Sequence, residues 1–314
     1  MLAYNLWQWL RRVYLRRDSD AMRSLSCSVL FAILSIQTAA AQIQVLAVTD
    51  AATFTPGMPY VGSLATAFCT GLAGIDGIKS ATTLPLPYEL AGVSVTVSGG
   101  SAPVLAVADL GSYQQINFQV PEFQDLNSRT IEVSQLGPSG QMQFQSPPTT
   151  WGVFFGDLSG YAIVQHADYS LVTLDHRARP GEILVLYATN VDSFAYVSNA
   201  PDIGYPAKAD PLPSLFPSQV GNGLRIAPFL TVNGNNAEML YSGLTPGSVG
   251  VFQLNFRVPP NTPDGDATLT AVRGTCLPIG ACSTISYVYS RTAKLPVRAS
   301  GPTAAADRHT AEAQ

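Results

Sequence analysis

The sequence predicts an all-β protein: two tandem immunoglobulin-like β-sandwich domains behind an N-terminal signal peptide. Three observations lead there. After residue 41, short stretches alternate apolar and polar residues, and no amphipathic helical run of ten or more residues is present. Turn residues punctuate those stretches, with 26 Gly and 23 Pro in 314 residues, while charged residues make up only 12%. Finally, three blocks of sequence occur twice, in the same order.

The N-terminal 41 residues stand apart. From Met22 the chain reads MRSLSCSVLFAILSIQTAAAQIQ, an Arg followed by the apolar stretch Leu25 to Ile36 and then Ala39-Ala40-Ala41. A charged start, a short apolar run and small residues describe a secretory signal cleaved after about Ala41. Residues 1–21 are a long charged leader, or Met22 is the true start. The apolar run falls short of the roughly 20 residues a membrane span needs, so no span is expected after cleavage. Without residues 1–41 the chain carries 12 basic and 19 acidic residues, net −7. With no basic stripe left, nucleic acid is excluded as a partner. The expected location is secreted, periplasmic or cell-surface.

The repeats define the domains. GSLATAFCTGL (62–72) aligns with GEILVLYATNV (181–191) at an offset of 119, and VSVTVSGGSAPVL (93–105) with PFLTVNGNNAEML (228–240) at 135. QQINFQVP (114–121) aligns with FQLNFRVP (252–259) at 138. The first β-sandwich repeat is therefore assigned to 42–148 and the second to 149–299, with an insertion at 192–226 and a disordered tail at 300–314. Gly99-Gly100 and Asn233-Gly234-Asn235 are read as hairpin turns, because these residues accept positive φ. Gly71 and Asn190 share the same tolerance and are expected to end their strands in similar bends. YAIVQHADYSLVTL (161–174) reads as a hairpin through Ala167-Asp168-Tyr169-Ser170, and Pro147-Pro148 as a stiff connector.

The repeated phrases resemble the Solibacter-type uncharacterised C-terminal domain family of exported acidobacterial proteins. The residues carrying the resemblance are Arg179-Pro180-Gly181, Ala188-Thr189-Asn190-Val191, Leu230 to Gly234 and Gly250 to Pro259. Thr70-Gly71-Leu72, Gly92 to Gly99 and Gln115 to Pro121 match them in the first copy. Asn190-Val191 departs from the usual Gly-Leu. The resemblance implies an exported protein of tandem immunoglobulin-like sandwiches and no activity.

Candidate sites are few. The amides of the repeated motif (Gln115, Asn117 and Pro121; Gln253, Asn255 and Pro259) share a strand face and are expected to tie down neighbouring bends, with the prolines closing the strands. Cys276 and Cys282 flank LPIGA and read as a disulfide in an exported protein. Cys69 reads as a buried free thiol. His166 and His176 are expected at the surface beside the turn, without a third metal ligand. Asp202, Asp210, Asp264 and Asp266 read as solvated turn residues, and 261–266 lacks a full calcium loop. Because no Gly-x-Ser-x-Gly elbow or Cys-His motif occurs, no catalytic, metal or cofactor residue is assigned. The insertion carries Phe194, Tyr196, Tyr205 and Phe216, a candidate binding loop. The expected function is a non-catalytic binding or structural module for protein adhesion or assembly. A carbohydrate-binding module stacking sugars on Tyr196 and Tyr205 is the alternative, and a glycan-active hydrolase ranks below both.

Overall fold

Period-two alternation produces four antiparallel sheets that pack in two pairs. The structure, a computed structural model, describes residues 42–124, 129–144, 151–154, 159–216, 218–220, 223–226, 228–277 and 284–299. The signal segment 1–41, Pro147-Pro148, Cys282 and the tail 300–314 lie outside the described residues.

The first unit contains β1 (Gln44–Asp50), β2 (Leu64–Thr70), β3 (Ile78–Ser80), β4 (Glu89–Leu90), β5 (Val93–Val97), β6 (Gly100–Ala102), β7 (Val104–Asp109), β8 (Gln114–Gln119), β9 (Thr130–Gln135) and β10 (Ser139–Gln143). One sheet runs β1-β2-β8-β7-β3, the other β10-β9-β5-β4 with β6 also on β5. Their inward residues, among them Ala65, Ala67, Cys69, Ile116 and Phe118 from one sheet and Val93, Val95, Ile131 and Val133 from the other, form a single core.

The second unit contains β11 (Gly152–Val153), β12 (Val164–Gln165), β13 (Ile183–Thr189), β14 (Ser218–Val220), β15 (Gly223–Arg225), β16 (Phe229–Val232), β17 (Asn235–Asn236), β18 (Glu238–Leu244), β19 (Phe252–Arg257), β20 (Gly265–Leu277), β21 (Thr284–Tyr289) and β22 (Ala293–Val297). One sheet runs β11-β13-β19-β18 with β12 on β13, the other β14-β15-β20-β16-β17 with β21 and β22 on β20. Leu184, Leu186, Leu254 and Phe256 meet Leu230, Val232, Leu269 and Leu295 in the second core.

The sequence repeat is a repeat of strand register. Leu64, Thr66 and Phe68 face Gln119, Asn117 and Gln115, and Ile183, Val185 and Tyr187 face Arg257, Asn255 and Gln253. Those are the same pairs under the offsets 119 and 138. Even the β-bulge recurs: register shifts between Val104 and Ala106 and between Met239 and Tyr241, leaving Leu105 and Leu240 as equivalent extra residues. The first strand also corresponds. Gln44 and Val45 oppose Thr70 and Cys69 across a bulge at Leu46, while Gly152 and Val153 oppose Thr189 and Ala188. At that bulge the second copy diverges. Phe154 N–H donates to Tyr187 O (3.2 Å), Tyr187 N–H donates to Ile163 O (3.3 Å), and the extra chain lies between Phe154 and Ile163. Leu46 and Ala47 are thus the counterparts of Phe154 and Ile163.

The hairpin turns fall one residue earlier than expected in the first copy. Ser98 and Gly99 carry φ of 46° and 81°, and Asn233 and Gly234 carry 50° and 78°, both central positions positive as a twisted two-residue hairpin demands. Gly100 instead lies in β6, where a Cβ would collide with the Glu122 carbonyl. Gly71 (φ 90°) and Asn190 (φ 54°) do share the left-handed bend.

The two units meet in a third apolar cluster. Leu64, Leu86, Leu105 and several alanines of the first unit pack on Phe154, Ile163, Tyr187, Val249 and Val251 of the second. Polar links frame it: Tyr60 N–H to Asn190 Oδ1 (3.0 Å), Leu64 N–H to Thr189 Oγ1 (2.8 Å) and Gly204 N–H to Gln119 Oε1 (2.6 Å). Arg273 is buried there, its Nη1 donating to Val191 O (2.7 Å) and its Nη2 to the Tyr60 hydroxyl (3.2 Å), with Asp192 Oδ1 at 3.5 Å. Asp50 shapes the first unit's side. Its carboxylate accepts from the N–H groups of Ala52, Thr53 and Thr55 and from the Thr53 hydroxyl, at 2.7 to 2.9 Å. Complete burial pushes this carboxyl above its ordinary value against the pull of those donors.

Two expectations follow from these buried groups. Asp50→Ala strands four donors and should lower unfolding free energy by about 3 kcal/mol or more, with Asp50→Asn clearly milder, as read by urea melts. Burial lifts the Cys69 thiol to about 12, so native protein at about pH 8 should resist a thiol-specific disulfide reagent and react fully only once unfolded.

Candidate binding surface

The repeated amides serve the fold. Gln115 Nε2 donates to Asn117 Oδ1 (2.9 Å), and Gln253 Nε2 donates to Asn255 Oδ1 (3.1 Å). These amides bond each other along the strand, which differs from the expected ties to bends. The tie to a bend comes one position further on: Gln119 Nε2 donates to Gly62 O (2.8 Å), and Arg257 Nη1 donates to the equivalent Gly181 O (3.1 Å). Pro121 and Pro259 follow Val120 and Val258, whose N–H groups donate to the equivalent carbonyls of Ser63 and Glu182 (both 2.9 Å).

His166 is buried, contrary to the surface position expected for it. Its Nδ1 lies 2.6 Å from Glu182 Oε1 and its Nε2 3.2 Å from His176 O. The two histidine rings stack at 4.0 Å. Spacing alone hid the Glu182 contact, because the residue arrives from β13's approach after the hairpin has closed. Asp168 caps the turn, and hydrogen bonds from the Ser170 hydroxyl (2.6 Å) and N–H (3.0 Å) hold its carboxyl below the ordinary range. With its rings stacked and its nitrogens engaged, this is a hairpin clasp. Among the described residues no three His, Cys, Asp or Glu side chains come together to hold a metal. Asp266 accepts from the Tyr161 hydroxyl (2.7 Å) and Asp264 from Ala299 N–H (3.2 Å), at separate turns. Cys276 is disulfide-bonded.

The insertion is more ordered than its sequence suggests, and half of its aromatics are withdrawn. Phe194 is buried, edge-on to Phe252 at 6.2 Å, its ring filling the space where Gly62 lacks a Cβ. Tyr196 is half-buried. Only Tyr205 and Phe216 are exposed. Leu215 N–H donates to Ser242 O and Leu244 N–H to Pro213 O (both 2.9 Å), so this arm extends the sheet beyond β18, as β3 does beyond β7 in the first unit. The Tyr241 hydroxyl, pushed up to about 12 by burial, secures it by donating to Pro213 O (2.8 Å).

A surface that no motif announced lies on the second unit. Along β20, Ala267, Leu269 and Ala271 point into the core, which turns Val272, Gly274 and Cys276 outward. Val272 pairs with Tyr289, Gly274 with Tyr287 and Cys276 with Ile285. On the other side Val272 pairs with Phe229. Tyr287 and Tyr289 are 43% and 51% exposed, and Ile285 is exposed too. Their rings lie 6.1 Å apart at 47°. Gly274 provides the floor: a Cβ there would sit 3.0 Å from Ile226 Cδ1, 3.2 Å from Ile285 Cγ2 and 3.4 Å from the Tyr287 ring. On the outer edge of β21 the Tyr289 carbonyl accepts from Trp151 N–H (3.3 Å), and among the described residues no strand lies beside Ile285 and Tyr287. The result is a continuous apolar, aromatic face without a carboxylate or ammonium in it. The signal in the sequence is the triplet Ile285, Tyr287, Tyr289 at alternate positions, opposite to the usual polar exterior of a strand.

No protein-family model and no curated protein matches the chain. Two solved structures share slight similarity: an endo-fucoidan hydrolase from glycoside hydrolase family 107 and a point variant of it. They are 11% and 10% identical, with TM-scores of 0.12 and 0.11, over 79% of this chain. The chain spans 45% of the length of each, and likeness at this level carries no argument. Among the described residues no helix is long and apolar enough to cross a membrane.

If the tyrosine face is a surface and no part of the core, Tyr287→Ser and Tyr289→Ser should each change unfolding free energy by no more than about 0.5 kcal/mol. By contrast, Phe256→Ser, in the second core, should cost several-fold more in the same denaturant melts.

Proposed function

We propose that the protein is an exported, non-catalytic binding module that holds a protein partner on the outer face of β20 and β21. The observation that carries this reading is the exposed row Ile285, Tyr287 and Tyr289 flanked by Phe229 and Val272 on the sheet's outer side. Interface cores are enriched in aromatic residues and depleted in charge, and this face has that composition. Short of Tyr289, whose carbonyl is taken by Trp151 N–H, the edge of β21 along Ile285 and Tyr287 adds backbone donors and acceptors for an extended segment. Carbohydrate is less favoured here. Sugar hydroxyls require several convergent polar side chains beside the stacking rings, whereas these tyrosines are bordered by Ile226, Val272 and Ile285. Export is supported by the segment Met22 to Ala41, and the Solibacter-type resemblance agrees with it. The stacked histidine clasp and the dispersed aspartates favour a module that binds without turnover.

Panning a displayed library of random peptides on the immobilised protein tests the reading. Peptides with apolar residues at alternate positions should be enriched, and the Tyr287→Ser/Tyr289→Ser variant should bind them at least tenfold more weakly. Absence of any enriched peptide sensitive to that variant would overturn the proposal. A glycan array signal lost in the same variant would transfer the face to carbohydrate.

A further inference from the structure

The contact between the two units is heterologous: the first unit uses one part of its surface and the second uses a different part. Because the units are repeats, each also carries the counterpart of the half its neighbour uses. On the first unit the seam half is built on Leu64 and the bulge residue Leu105. Their counterparts on the second unit are Ile183 and Leu240, which are 37% and 45% exposed. On the second unit the seam half is built on Phe154, Ile163, Tyr187 and Val251. The counterparts on the first unit are Leu46, Ala47, Phe68 and Tyr113, of which Leu46 is 38% exposed. Phe68 and Tyr113 are buried, edge-on to each other at 5.6 Å with Phe54 against Phe68 at 5.7 Å, which leaves Leu46 as the exposed residue of this half.

Exposed apolar side chains therefore remain at Leu46, Ile183 and Leu240, counterparts of residues that seal the seam internally. The exposed residues of the two halves also lie at opposite strand ends. Leu64 begins β2 and contacts the second unit at Thr189, where β13 ends. The free counterparts are then the start of β13, at Ile183, and the end of β2, beside which Leu46 projects from the bulge of β1.

We propose that a second copy of this chain docks its Leu46 end onto the Ile183–Leu240 face of the first, repeating the internal seam between molecules. The association is head to tail, so each copy keeps a free half for a further copy and oligomers larger than a dimer form. It is weaker than the internal seam. Phe194 and Gly204, which reach the first unit from the insertion, have no equivalent in the short 72–77 segment. The surface involved is distinct from the tyrosine face, so this inference stands whether or not that face binds a protein.

Sedimentation velocity of the full chain from roughly 1 to 300 µM, the range in which small interfaces associate, should show an average mass that rises with concentration. Leu46→Asp and Leu240→Asp should each remain monomeric. An equimolar mixture of the two should form a dimer and stop there, because each variant keeps the half the other has lost. Should either Asp variant melt early, Leu46→Ser and Leu240→Ser replace the pair. A wild-type chain that stays monomeric throughout would overturn the proposal. So would a mixture that fails to dimerise, or association abolished by Tyr287→Ser.

Discussion

Both units rest on one pairing, β2 with β8 in the first and β13 with β19 in the second, in the same register. Side chains alternate across a strand, so a slip of one residue would turn Ile116 and Phe118, or Leu254 and Phe256, out of their cores. Burial of these residues on one face specifies the register, and in the first unit the Thr66 hydroxyl crosses to Asn117 Oδ1 (3.0 Å) on the other face in that register. The bulge at Leu105 and Leu240 then becomes possible, since an extra residue on the neighbouring strand can be expelled outward without disturbing the central pair.

That expelled residue decides how the units join. Leu105 projects from its sheet and is capped by apolar side chains of the second unit. Those side chains hold places that the repeat also has, and segments outside the repeat reinforce them. Phe154 and Ile163 flank the extra chain inserted at the first-strand bulge, and Phe194 and Gly204 ride on the 192–226 insertion. The insertion thus acts first as a clamp across the seam, which accounts for the burial of Phe194. Asp50 and Arg273 hold the polar margins. Both are buried: four donors converge on the Asp50 carboxylate, and Arg273 is engaged through Nη1 and Nη2 while its Nε has no hydrogen-bond partner among the described residues.

β20 connects the seam to the tyrosine face. Arg273 points from it toward Tyr60 of the first unit, while Val272 and Gly274 on either side point outward under Tyr289 and Tyr287. One strand therefore anchors the unit with one face and presents the aromatic surface with the other. Gly274 belongs to this arrangement because a side chain there would crowd Ile226, Ile285 and Tyr287.

Local periodicity and internal repetition in the sequence determined the all-β class, the strands of the cores and the equivalence of Gly71 with Asn190. These properties depend on neighbours two residues apart or on comparison of the chain with itself. Tertiary structure decided what covers each outward side chain. Leu105 and Leu240 hold the same place in the same repeated block, yet one is sealed in the seam and the other faces solvent. The histidines beside one turn were legible as a pair, but burial of His166 against Glu182 was not. Phe194 and Tyr287 tell the same story in opposite directions: an aromatic in an irregular insertion is packed away, and one in a regular strand is displayed. Exposure is a property of the assembled neighbours, which lie more than a hundred residues away in sequence for Leu64 and Thr189, and no local pattern encodes them.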